Sequence, residues 1–325
     1  MRLLLCFCLA WLCLYHPATA QSRNPVPILL DTDMGPDYDD VGALAVLHAL
    51  ADRGEARPLA VIACNRHPLV VPTIDLLNTW FGRADLPTGA PRQPEAVSDG
   101  AWQQWPEQLV ARYPHRYRST AEAPDAVATY RQILARQPDR SVTLVTIGFL
   151  TNLAQLLDSR PDRYSRLTGR ELVARKVKQL VAMAGAFPSG REFNVYKDSV
   201  AAERALAGWP TPIVFSGFEI GKQIKTGLRL LADSTLTGPV KETYALCMAK
   251  SNEDRAGRMS WDQTAVLVGV RGHAPYFGLK RGRIVIRGGR NEWQDDPDGP
   301  HAYLVSAMPV EAVTEVIERM MMHRR

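Results

Sequence analysis

The sequence predicts an α/β fold, a mostly parallel open sheet flanked by helices with additional strands and a helix at the C-terminal end. Two observations carry this. Apolar runs of strand length at residues 26–30, 59–63, 141–147, 177–182 and 211–216 alternate with segments of helical length. The polar residues capable of chemistry follow those runs, at the carboxyl ends where open α/β sheets bind ligands. Residues 21–325 suit a single domain, since no linker, repeat or second long apolar span interrupts them.

Residues 1–20 read as a signal peptide. Arg2 is the basic start, residues 3–14 the apolar core and Ala18-Thr-Ala20 the cleavage site. The apolar run is too short to span a bilayer, so no stable membrane insertion is expected. The protein is expected to be exported, periplasmic or secreted. Cys6, Cys8 and Cys13 would leave with the peptide. Cys64 and Cys247 could pair, but two buried thiols fit a chain of this size better than a disulfide scaffold. The formal charge is +5, with basic residues scattered among acids and no basic helix, so no nucleic-acid partner is expected. Homo-oligomerisation stays open.

Residues 26–30 form the first strand and residues 41–50 the first helix. Between them lies Asp31-Thr-Asp-Met-Gly-Pro-Asp-Tyr-Asp-Asp40, five carboxylates in ten residues. Carboxylates this close repel and resist desolvation, a cost tolerated when a hard cation such as Ca²⁺ or Mg²⁺ takes the oxygens. An EF-hand is excluded, because its positions six and twelve fall on Pro36 and Gly42 instead of Gly and Glu. An aspartyl nucleophile at Asp31 or Asp33 lacks a convincing later Lys and acidic pair. Helix capping alone needs one or two of the five.

The second strand, 59–63, ends at Cys64-Asn65, where an Asn is ordinarily a turn residue, and residues 70–81 read as helix. Residues 84–120 are Pro-rich and carry Trp102 and Trp105. Such stretches are often lids; packing is the plainer role for the two indoles. A helix at 125–136 precedes the buried strand 141–147, which turns through Gly148-Phe-Leu-Thr-Asn152 into another helix. Strand 177–182 leads to Met183-Ala-Gly-Ala186, then Glu192-Phe-Asn194 and Asp198. Strand 211–216 is followed by Gly217-Phe-Glu219. Ser260-Trp-Asp262 opens a helix at 263–270, where Asp262 could serve as N-cap. Residues 282–286 and 302–305 look like extra strands, and 309–321 a closing helix.

Taken in order, these motifs resemble the inosine-uridine-preferring nucleoside hydrolase family, whose first signature is written DxDxxxDDxxA. Here two more residues precede the Asp pair. The resemblance covers most of the chain after residue 20. It implies a nucleoside-hydrolase-like fold and a bound Ca²⁺ held by Asp33, Asp40, Asp262 and the carbonyl of Ile147. Calcium acidifies a bound water less than zinc would, so a carboxylate must help remove the proton, and Asp33 is the expected base. Asp39 and Asn65 would hold the ribose 2′ and 3′ hydroxyls, Met183 would lie beneath the sugar, and Glu192 and Asn194 would hold the rest, with Asp198 behind them. The loop 187–191 lacks an Asn that relatives place there. The extra Asp37 could ligate the metal, orient a hydroxyl or cap the helix.

Relatives carry His where this chain has Trp261. Indole has one N–H donor and no proton to give near neutral pH, so it cannot act as a general acid. Its face could stack on a purine and stabilise the protonated base; alternatively Trp261 only packs beneath its helix. The implied activity is hydrolysis of a ribonucleoside to ribose and free base, purines preferred over uridine. The alternative is an exported nucleoside- or sugar-binding protein of the same fold without turnover.

Overall fold

The computed structural model describes residues 24–94 and 96–324. The signal peptide expected at residues 1–20 lies outside them. The strands, in chain order, are β1 (Val26–Thr32), β2 (Ala56–Ala63), β3 (Val142–Thr146), β4 (Val177–Met183), β5 (Ser189–Gly190), β6 (Ile213–Ser216), β7 (Lys225–Thr226), β8 (Arg258–Met259), β9 (Phe277–Arg287), β10 (Arg290–Asp295) and β11 (His301–Ser306). Nine of them form one sheet in the order β2-β1-β3-β4-β6-β11-β9-β10-β5, while β7 and β8 pair separately. The run from β2 to β11 is parallel. β9, β10 and β5 extend it antiparallel.

The α/β expectation therefore describes the first six strands of the order, and the C-terminal strands add a hairpin edge. β10 and β5 were not anticipated. β10 alternates charged and polar residues and has little apolar content to mark it as a strand. Its signal was the two-residue turn Gly288-Gly289, both at positive φ (56° and 74°), where Arg287 pairs with Arg290.

Apolar side chains fill both faces of the sheet. One core packs the helix Asp39–Asp52 against the helices Trp261–Arg271 and Val310–Met321. The other packs Thr151–Asp158, Gly169–Lys176 and Ser199–Gly208 on the opposite face. Asp39–Asp52 is buried from Asp39 to Leu50. That explains its nearly uniform apolar composition: it is a central helix covered on several sides rather than a half-exposed one. Cys64 and Cys247 are both buried free thiols.

Residues 84–120 are not a single lid. A helix, Trp105–Arg112, interrupts them, and the two indoles part company. Trp105 is fully buried and donates its Nε1–H to the carbonyl of Asp37 at 3.1 Å. Trp102 is 66% exposed and lines a cavity. No helix among the described residues is long and apolar enough to cross a membrane.

Candidate active site

The carboxyl ends of β1, β3 and β4 converge on a cavity of about 330 Å³. Its wall includes Asp33, Asp37, Asp39, Ile147, Met183, Glu192, Asn194, Trp261 and Asp262. These are scattered over some 230 positions of sequence, and the parallel sheet gathers them because each follows a strand or opens a helix at the same edge. The approach is close. A Cβ on Gly148 would lie 2.5 Å from the backbone nitrogen of Asp33, so only glycine lets the chain leave β3 beside β1.

The five acids after β1 divide by role. Asp31 faces away into the fold, where Tyr130 Oη donates to its Oδ2 at 2.6 Å and Asn152 Nδ2 at 2.8 Å. Burial pushes its carboxyl up to about 6. Asp33 faces the cavity, and burial and then the charge of Asp40 hold its carboxyl well above the usual range. Asp40 Oδ1 accepts from Thr32 Oγ1 and from the Met34 N–H. Its Oδ2 is buried without a hydrogen-bond partner among the described residues, and burial pushes the carboxyl up to about 7.

Asp39 is spoken for on both oxygens. Oδ1 accepts from Arg258 Nη2 at 2.9 Å, while Oδ2 accepts from the backbone N–H groups of Trp261 and Asp262 at 3.1 and 3.3 Å. Asp39 thus caps the helix Trp261–Arg271 from another part of the chain. The N-cap role considered for Asp262 is corrected: Ser260 holds that position, no side chain of the local segment caps it, and Asp262 is left facing the cavity. Asp37, the extra acid, accepts from Arg258 Nη2 at 2.5 Å.

Asn65 is fully buried behind the cavity rather than in its wall. Its Nδ2 donates to the carbonyls of Asp33 (2.9 Å) and Asp99 (2.7 Å), and its Oδ1 accepts from the N–H groups of His67 and Asp99. Asn65 thus staples the end of β2 to the 96–104 loop, and the ribose contact implied for it would draw on polar atoms that already have backbone partners.

Glu192 is buried, not a surface carboxylate. It caps the helix Phe193–Lys197, Oε1 accepting from the Asn194 N–H at 2.8 Å and Oε2 from Gly185 and Val195 at 3.1 and 3.2 Å. Burial raises it to about 7 despite those bonds. Asn194 Nδ2 donates to the carbonyl of Met183 at 3.1 Å, locking the two together. Asp198 accepts from Thr151 Oγ1 one layer further out.

Trp261 lines the cavity, but its Nε1–H donates to the carbonyl of Phe218 at 2.7 Å. Its ring stacks on Phe218 with centroids 5.2 Å apart, and the guanidinium of Arg258 lies over it at 5.1 Å. Neither its donor nor its whole face is free. Sequence reasoning missed Arg258, Asp254, Glu253, Phe218 and Gln103, all in the wall. The available signal was charge: a buried acid cluster with one carboxylate more than the family pattern calls for needs an internal cation.

Two sets of oxygens could take a metal. One oxygen each of Asp37, Asp39 and Asp262 lies within 4.8 Å of the others. Arg258 already neutralises Asp37 and Asp39. The other set, Asp33, Asp40 and Asp262, is the one the family resemblance implies, and its carboxyls are all raised by burial and by neighbouring acids. The unpartnered Asp40 Oδ2 belongs to this set, and a buried carboxylate oxygen without a donor is what a cation ligand looks like in a structure without ions. The residues fit a hard, oxygen-loving cation.

A sequence model described as inosine-uridine preferring nucleoside hydrolase matches residues 28–313. The chain belongs to that family. Among similar proteins, the pyrimidine-specific ribonucleoside hydrolase RihA of Klebsiella pneumoniae is 28% identical over 214 residues, 60% of this chain and 61% of the relative. The chain thus aligns with about three-fifths of the length of that curated relative. Among solved structures, a plant nucleoside hydrolase, the PpNRh1 enzyme, superposes with a TM-score of 0.69 at 19% identity, covering 92% of this chain and all of that one. A purine-preferring ribonucleoside hydrolase from Gardnerella vaginalis does so with 0.69 at 15% identity, over 91% and 98%. At such identities the solved structures speak to the fold: this family member keeps the nucleoside hydrolase architecture.

Proposed function

We propose that this nucleoside hydrolase cleaves the N-glycosidic bond of ribonucleosides, releasing ribose and the free base. The observation that carries the reading is Asp40 Oδ2, buried without a partner among the described residues, behind a nucleoside-sized cavity whose wall includes Asp33 and Asp262. A bound Ca²⁺, held by Asp33, Asp40, Asp262 and the Ile147 carbonyl, would lower the pKa of a water at C1′. Asp33, which faces the cavity, is the base that takes the water's proton. Glu192 and Asn194, fixed by backbone bonds, orient the sugar over Met183. The buried carboxylates stabilise the oxocarbenium character that builds at C1′.

We further propose that purine nucleosides are better substrates than uridine. Phe218 and Trp102, 37% and 66% exposed, together with Trp261 give the cavity a broad aromatic lining, and a larger base gains more from stacking. The names of the relatives point both ways, one pyrimidine-specific and one purine-preferring. Incubation of the purified protein with calcium and a panel of nucleosides, with ribose release as readout, tests both statements. No release from any nucleoside sinks the hydrolase reading; saturable binding without release would leave a binding protein.

A further inference from the structure

The cavity contains one Lys or Arg among its lining residues, Arg258, and the residues that hold it are unusual. It sits on β8, four residues before Asp262, and is only 8% exposed. Nη2 donates to Asp37 Oδ2 at 2.5 Å and Asp39 Oδ1 at 2.9 Å. The rings of Tyr38 and Trp261 lie 4.9 and 5.1 Å from Cζ and restrain the guanidinium plane. Nη1 is 3.8 Å from Asp254 Oδ1, too far for a hydrogen bond, and Nε is buried with no partner among the described residues. One nitrogen is pinned and two are uncommitted.

We propose that Arg258 is a catalytic residue whose Nη1 donates a hydrogen bond to the departing base and stabilises the negative charge that develops there. The proposal rests on the hydrolase reading above. Met183, Glu192 and Asn194 mark the sugar end of the cavity, so the base extends toward the segment 251–262, where Arg258 and the Phe218–Trp261 pair form the wall. As C1′–N breaks, its electron pair moves to the ring nitrogen. The water oxygen bonds to C1′, its proton passes to Asp33 and out to solvent, and a solvent proton later neutralises the base. Something must hold that charge meanwhile. Trp261 cannot, because its single donor is spent on Phe218. A guanidinium does not give up its proton, but it is a strong donor to an anion. The same reading accounts for Asp37, which anchors the guanidinium from the pocket side. It also argues against a phosphate subsite: Asp37, Asp39 and Asp254 around one Arg leave the group net negative, unsuited to a permanent dianion.

The experiment compares two leaving groups. Inosine must release its base as an anion or be helped; nicotinamide riboside, a pyridinium, releases a neutral base and needs no help. Arg258→Gln should lower kcat/KM for inosine roughly 100-fold or more, the cost of removing one donor from a developing anion. For nicotinamide riboside it should change by less than about five-fold under the same reasoning. Equal losses on both substrates would show that Arg258 merely holds Asp39, and the proposal falls. Should Arg258→Gln fail to fold, Arg258→Lys keeps the charge but loses the fork, and the loss should again fall on inosine alone. Wild-type protein that cleaves inosine but shows no such selective loss in the variant overturns this inference and leaves the hydrolase reading standing. Wild-type protein that cleaves neither riboside overturns both.

Discussion

Replacing Asp40 by Asn separates the two candidate metal sets with a change of sign. The substitution keeps Oδ1 to accept from Thr32 and Met34 and turns the unpartnered Oδ2 into a neutral amide. In a calcium chelator the variant should be at least as stable as wild type. It removes one of several buried acids, and burial together with their mutual repulsion raises the carboxyls of Asp33 and Asp262. In calcium the order should reverse. A ligand at a hundredfold its Kd stabilises the native state by about 2.7 kcal/mol. At roughly 2 °C per kcal/mol for a chain of this length, the wild-type melting temperature should rise by about 5 °C. The variant should not respond, because the amide offers its N–H face where the cation needs an oxygen. Differential scanning fluorimetry with and without calcium reads this directly, and Asp40→Ala should abolish both calcium binding and turnover. An Asp40→Asn variant with the full calcium shift would refute the reasoning and move the metal to Asp37, Asp39 and Asp262.

Asp33→Asn should fold normally, bind calcium more weakly and lose most turnover; turnover within a few-fold of wild type would transfer the base role to Asp37. Trp261→Phe should retain purine turnover, and wild-type protein should cleave inosine faster than uridine; the opposite order removes the stacking argument without touching the hydrolase reading. Glu192, held near 7 by burial, has a folded pKa above its unfolded value of 4.5. Its neutral form therefore contributes stability that is full below about 4.5 and lost as the pH rises through about 7, worth roughly 3 kcal/mol. Measured in urea, the stability of wild type relative to Glu192→Gln should fall from pH 4 to pH 8; a pH-independent difference would contradict it. N-terminal sequencing of protein from the native host should begin at Gln21, and a retained Met1 would overturn export.

Much of the site was legible because its chemistry is local. Asp33, Asp39 and Asp40 are adjacent to a strand whose apolar run announces it, and Glu192-Phe-Asn194 is a helix start whose own carboxylate caps it. Arg258 was not legible. It lies on a two-residue strand, and its partners are some 220 positions away, so no window of sequence contains both. Asn65 shows the converse. The residue type and place were anticipated, but its hydrogen bonds run to a loop backbone that only folding brings alongside.

The order of apolar runs by itself determined a parallel α/β sheet, because strand and helix periodicities are written in neighbouring residues. The ligand edge followed, since every parallel strand delivers its next residues to the same side. What only the tertiary structure decided is which polar atoms are already satisfied. Asp39 is committed to Arg258 and a distant helix end, the Trp261 donor to Phe218, and Asn65 to the 96–104 loop, whereas Asp40 Oδ2 is left over. A residue's type gives its hydrogen-bonding capacity, but how that capacity is spent depends on partners far away in the chain. In a dry site the unspent capacity is what remains for a cation or a substrate.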